Sequence, residues 1–207
     1  MKSIIFDVDG TIWDSVEAVA VAWTNSCKKA GYDYDFITPE RLRGEFGKLM
    51  EEIGRSLFTD LPEDEAIALL RKCCQEENEY LVEHGPDAYP EIPDLFQEMK
   101  KRGYPVVIVS NCQAGYIEAL LARTGLYPYV MGHLCPGDTG LAKAENIKLA
   151  VEKYHLEDPA YLGDTMGDYT ATKKAGLPFL FASYGFGDVP NPDGVVSHPL
   201  EVLRFLN

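Results

Sequence analysis

The chain has 207 residues, enough for one domain with a sizeable core or for a core carrying a smaller insertion. Its 33 acidic against 19 basic residues give a formal charge of −14, which argues against nucleic acid or an anionic membrane as a partner. An anionic small molecule would have to be recognised locally, through a metal, one or two cations and backbone amides.

The first element is a strand over Ile4-Ile5-Phe6, stopping at Asp7-Val8-Asp9-Gly10-Thr11. Ser15 to Ala30 reads as a helix, with Val16, Val19, Ala20, Trp23 and Cys27 on one face, closed by Gly31. Thr38-Pro39-Glu40 offers an N-cap followed by proline at the first helical position, and Leu49, Ile53 and Leu57 continue the helical spacing. Pro62 to Glu83 is a third helix, closed by Gly85-Pro86. Residues 15–85 thus hold helices and no convincing strand.

A βα rhythm follows. Helix Pro93 to Arg102 leads to strand Pro105 to Val109, helix Tyr116 to Thr124 and a short strand near Tyr129-Val130-Met131. Next come helix Lys143 to Tyr154, strand Ala160 to Leu162, helix Met166 to Ala175, strand Phe179 to Phe181, a short strand at Val195-Val196 and a terminal helix Pro199 to Leu206. Alternation of this kind predicts an α/β fold with a doubly wound parallel sheet. The expected division is an α/β core from residues 1–14 and 86–207, with an all-helical unit, 15–85, inserted after the first strand.

Cys27, Cys73, Cys74, Cys112 and Cys135 form no C-x-x-C pair and cannot all pair internally, so a reducing cytoplasm is the simplest location. No apolar run matches a signal peptide or a membrane-spanning helix.

Ligands of open parallel sheets bind beyond the carboxyl ends of strands, and four motifs fall where that rule directs attention. Asp7 and Asp9 are two residues apart at the end of the first strand; such a pair repels phosphate unless a divalent cation lies between them. Taken alone, Asp9-Gly10-Thr11 is equally a turn. Ser110-Asn111 ends Val106 to Val109 and offers a hydroxyl, an amide and backbone N–H groups to phosphate oxygens, though both residue types also serve as N-caps. Gly163-Asp164-Thr165-Met166-Gly167-Asp168 puts one carboxylate at a strand tip and a second one helical turn later, a pattern that fits metal binding or helix capping. Lys143, after the loop Cys135 to Ala142, is the candidate cation among these acids, although a lysine taken alone reads first as a solvated surface residue; Lys148, Lys173 and Lys174 are poorer ones.

The four motifs in this order resemble the haloacid dehalogenase superfamily of phosphohydrolases and phosphotransferases, over essentially the whole chain. The helical insertion, together with Ser183 to Gly187 and Asp193 to Leu200, is similar to the phosphoglycolate-phosphatase-like and β-phosphoglucomutase-like branch. The resemblance implies a Mg²⁺-dependent phosphatase acting on a small phosphorylated metabolite. It assigns Asp7 as the nucleophile that becomes an aspartyl phosphate and Asp9 as the general acid and base. Thr11, Ser110, Asn111 and Lys143 become phosphate-binding residues, and Asp7, Asp9 (through its backbone carbonyl), Asp164 and Asp168 the metal site. Relatives often carry Lys-Pro at the third motif, where this chain reads Lys143-Ala144. In the cap, Gly44 to Lys48 is the candidate substrate-facing stretch, with Lys48 or Arg43 available to a substrate carboxylate or second phosphate; an ordinary amphipathic helix with solvated charges explains it equally. Trp13 and Trp23 read as hinge and cap-core packing. The alternatives are a phosphomutase moving phosphate between sugar hydroxyls and a non-catalytic binding protein on the same fold.

Overall fold

The computed structural model describes residues 1–207. Its centre is a six-stranded sheet, every neighbouring pair parallel: β1 (Ser3–Phe6), β2 (Val106–Val109), β3 (Gly132–Leu134), β4 (Pro159–Gly163), β5 (Phe179–Ala182) and β6 (Gly194–Val196), in the order β3-β2-β1-β4-β5-β6. β1, β2 and β5 are buried along their whole length, which is why they read as continuous apolar runs rather than alternating ones. Ile4, Phe6, Val106, Ile108 and Leu162 face one side, while Ile5, Val107, Val109 and Tyr161 face the other.

The chain runs outward from β1 through β2 to β3, then returns to the opposite side of β1 to lay down β4. The sheet order therefore reverses between β1 and β4. Crevices at such switch points are where open α/β sheets bind ligands.

Between β1 and the helix α5 (Ile92–Lys101) lie α1 (Val16–Lys29), α2 (Pro39–Arg43), α3 (Met50–Leu57) and α4 (Glu63–His84), with no strand of the sheet among them. α1 and α3 pack against α4, and α4 packs against α6 (Tyr116–Thr124), bringing this helical segment over the carboxyl edge of the sheet. Two further helices are α8 (Lys143–Lys153), after the single turn α7 (Pro136–Thr139), and α9 (Met166–Ala175).

Several boundaries differ from the sequence expectation. The helical pattern from Pro39 to Leu57 breaks at Gly44 to Leu49, because Gly47 adopts φ +86° and Leu49 is extended. The break turns the carbonyl of Gly47 toward the sheet, where Asn111 Nδ2 donates to it at 2.9 Å. The third strand starts at Gly132, not Tyr129: Tyr127–Tyr129 is a 3₁₀ turn, and pairing in register with β2 (Val107 with Gly132, Val109 with Leu134) overrides the β propensity of Val130 and Met131. The loop before Lys143 contains the short α7, and the terminal helix is 3₁₀ over Pro199–Arg204. All five cysteines are free and buried. No helix is long and apolar enough to cross a membrane.

Candidate active site

β1 delivers Asp7 to the switch point: its N–H donates to the Leu162 carbonyl at 2.9 Å, extending the β1–β4 pairing by one residue and placing Asp7 beside the end of β4. Asp164 follows β4 directly, and Asp168 lies in the first turn of α9. One oxygen from each of Asp7, Asp164 and Asp168 falls within a mutual distance of 4.8 Å, and all three residues are buried. Lys143, at the start of α8, is also buried; its Nζ donates to Asp7 Oδ1 at 2.7 Å and to Asp168 Oδ1. The two carboxylates hold its ammonium protonated despite burial, which opposes them.

Local structure fixes each group. Asp168 Oδ2 accepts from Thr165 N–H (2.9 Å), Thr165 Oγ1 (2.7 Å) and Asp164 N–H (3.2 Å), while the Thr165 hydroxyl caps α9. The capping and functional readings of this motif thus coexist: Oδ2 serves the helix terminus and Oδ1 faces Lys143. Asp164 Oδ2 accepts from Phe186 N–H at 2.7 Å, whereas its Oδ1 is buried without any partner. Gly10, at φ +79°, makes room for Asp164, since a Cβ there would lie 2.1 Å from Asp164 Oδ2.

Asp9 is held apart from this cluster. Trp13 Nε1 (3.0 Å), Ser15 Oγ (2.8 Å) and Tyr116 Oη (2.7 Å) all donate to its Oδ1. Ser15 is the residue preceding α1, yet its hydroxyl makes no cap bond because it is committed to Asp9. The Asp9 carboxylate is not among the clustered oxygens, and its backbone carbonyl accepts no backbone hydrogen bond. Desolvation raises the Asp9 carboxyl to about 7, with the three donors opposing the rise. Burial and the neighbouring acids raise Asp7, with Lys143 pulling it back, and raise Asp164 to about 8.

The remaining expected residues lie around this centre. Ser110 is buried at the end of β2. Asn111 turns its amide nitrogen to Gly47 and leaves Oδ1 buried and unpartnered. Thr11 is fully buried, with no partner for its hydroxyl, and its N–H is engaged by the Val8 carbonyl. Arg43 pairs with Asp14 at 3.1 Å and Lys48 with Glu45 at 2.7 Å. Trp13, read from sequence as packing, also bonds Asp9 and meets Tyr116 edge to face.

Sequence reasoning missed Tyr116 and Tyr161. Tyr161 Oη donates to the Val109 carbonyl at 2.6 Å and lies 3.3 Å from Asp7 Oδ1, with Lys143 Nζ 5.4 Å from its ring centre. Both tyrosines sit on apolar faces of regular elements, and only their hydroxyls mark them as polar.

The donor set suits a hard divalent cation: of three clustered carboxylates only Asp7 and Asp168 pair with Lys143, and Asp164 Oδ1 is a buried acceptor lacking a donor. Such a cation would offset the burial and mutual repulsion that raise Asp7 and Asp164.

Comparison with known proteins agrees with this arrangement. A phosphoglycolate phosphatase of Vibrio parahaemolyticus is 27% identical over 99% of this chain and 95% of its own length. Among solved structures, a haloacid dehalogenase-like hydrolase from Streptococcus pneumoniae superposes with a TM-score of 0.82 at 24% identity, covering 99% of this chain and 98% of that one. CbbY from Rhodobacter sphaeroides, crystallised as a variant with xylulose-1,5-bisphosphate, superposes with a TM-score of 0.79 at 20% identity, covering 97% and 96%. The family model for haloacid dehalogenase-like hydrolases matches residues 4–182, spanning β1 to β5 and every carboxylate of the cluster, and the chain belongs to that family.

Proposed function

We propose that this protein is a Mg²⁺-dependent phosphatase acting on a small phosphorylated metabolite through an aspartyl phosphate on Asp7. The observation that carries the reading is the buried convergence of Asp7, Asp164, Asp168 and Lys143 at the β1/β4 switch point, with Asp9 held separately by three donors. The names of its relatives make phosphoglycolate the first substrate to assay.

Lys143 donates to Asp7 Oδ1, which leaves Oδ2 as the oxygen that attacks phosphorus. As the P–O bond to the leaving group breaks, Asp9, whose carboxyl burial raises to about 7, passes a proton to the departing oxygen. The same carboxylate then takes a proton from water as the water oxygen attacks phosphorus, releasing phosphate and restoring Asp7. The hydrogen bonds on Asp9 Oδ1 orient Oδ2, the oxygen that carries the proton. Asp7, Asp164, Asp168 and the Asp9 carbonyl would hold the metal, which supplies positive charge against the phosphoryl oxygens. Ser110, Asn111, Thr11 and Lys143 would bind phosphate, and residues 15–85 would act as a cap that excludes water over a core of 1–14 and 86–207.

Purified protein should release phosphate from p-nitrophenyl phosphate in a metal-dependent way, and Asp7→Asn should abolish it. Undiminished turnover in that variant would reject the mechanism. Isomerised sugar phosphate without free phosphate would favour the mutase alternative.

A further inference from the structure

Above Asp9, the helical segment encloses a small cavity of about 30 Å³, room for roughly one water. Its wall continues through Met50, Asn111, Cys112 and Gln113 into an open cleft of about 730 Å³. Asp9, the residue proposed above to protonate the leaving oxygen, lines the small cavity.

The wall of the small cavity holds three carboxyls, Asp9, Glu45 and Glu77, and no lysine or arginine. Glu45 is satisfied by Ser56 Oγ (2.7 Å), Lys48 (2.7 Å) and Arg41 (3.5 Å). Arg43, the other cation of this stretch, is held by Asp14. Glu77 differs. It is 2% exposed, has no cationic partner, and accepts from Trp23 Nε1 and from the Gln113 amide. The Gln113 amide also donates to Asn78 Oδ1 at 3.0 Å. On α4 it continues the buried stripe of Leu70, Cys73, Cys74 and Leu81, where an apolar side chain would satisfy packing without the cost of desolvating a carboxyl. Asn111, which also lines this cavity, has its Oδ1 buried without a donor.

We infer that Glu77 is a specificity-determining residue that selects a leaving group bearing a neutral hydroxyl. The hydroxyl donates to Glu77, with Asn111 Oδ1 as a second acceptor for a polyol. A carboxylate in the same place meets no counter-charge, so phosphoglycolate itself is disfavoured. A site built to bond a hydroxyl discriminates strongly, because its buried polar groups are otherwise left unpaired. The inference rests on the phosphatase reading above and narrows its substrate class.

The test compares kcat/KM for glycerol 3-phosphate, 2-phosphoglycolate and p-nitrophenyl phosphate in the wild-type enzyme and in Glu77→Leu and Glu77→Gln. Wild type should prefer glycerol 3-phosphate over 2-phosphoglycolate by about tenfold or more. Glu77→Leu should collapse that ratio, and Glu77→Gln, which keeps an acceptor, should restore most of the preference. A wild-type enzyme that favours 2-phosphoglycolate, or a ratio unmoved in Glu77→Leu with an intact thermal transition, would overturn the inference. Absence of wild-type activity on p-nitrophenyl phosphate would instead overturn the phosphatase reading.

Discussion

Replacing Lys143 with methionine removes the one cation among three buried carboxylates while keeping most of the side-chain volume. At an effective dielectric near 20, the 2.7 Å contact with Asp7 is worth about 6 kcal/mol of Coulomb attraction. The oxygens of Asp7, Asp164 and Asp168 lie within 4.8 Å of one another, so each ionised pair repels by about 3 kcal/mol or more on the same scale. Protonation caps the penalty, and a broken buried pair typically costs about 3–5 kcal/mol, which is the expected loss in metal-free urea unfolding at pH 8. Without Lys143 the carboxyls titrate still higher in the folded than in the unfolded chain, so the folded state binds more protons and regains stability as pH falls. The deficit against wild type should therefore shrink by more than half between pH 8 and pH 5, and Mg²⁺ at pH 8 should recover part of it. A deficit under about 1 kcal/mol at pH 8, or one that does not change with pH, would refute the charge accounting.

Asp7→Asn should lower phosphate release by about four orders of magnitude or more, measured as kcat on p-nitrophenyl phosphate. Tyr116→Phe removes a donor that holds the Asp9 carboxyl down, so the alkaline limb of kcat/KM, expected near pH 7 in wild type, should move to higher pH. Gly10→Ala drives a methyl into Asp164 and strains a left-handed backbone; calorimetry should show Mg²⁺ affinity reduced by about tenfold or more, with a stability loss of about 1–3 kcal/mol. Mg²⁺ at a hundred times its dissociation constant should stabilise the protein by about 2.7 kcal/mol, and a chelator should reverse that gain together with activity.

Asp7, Asp164, Asp168 and Lys143 each lie where a predicted element begins or ends, but turn and capping readings explain the acids equally when each motif is taken alone, and it is the order of the four motifs that singles them out. The parallel sheet was legible because its inner strands, buried on both faces, are continuous apolar runs. Tyr116, Tyr161 and Glu77 were not, since helical or strand periodicity places them among core positions and only the fold shows which polar atom each turns inward. The break at Gly44 to Leu49 was hidden by the helical spacing of Leu49, Ile53 and Leu57, yet it brings Gly47 to Asn111 and Glu45 to the cavity wall. The start of β3 followed register against β2 rather than local propensity.

The central claim, that Asp7 carries the phosphoryl group, is most directly tested in Asp9→Asn, where loss of the base should slow hydrolysis of the intermediate. Acid-quenched protein mixed with Mg²⁺ and p-nitrophenyl phosphate should show one added phosphoryl group, mapped by peptide mass spectrometry to Asp7. Phosphoryl transfer found at another residue, or turnover that leaves Asp7 unmodified at every quench time, would contradict the account.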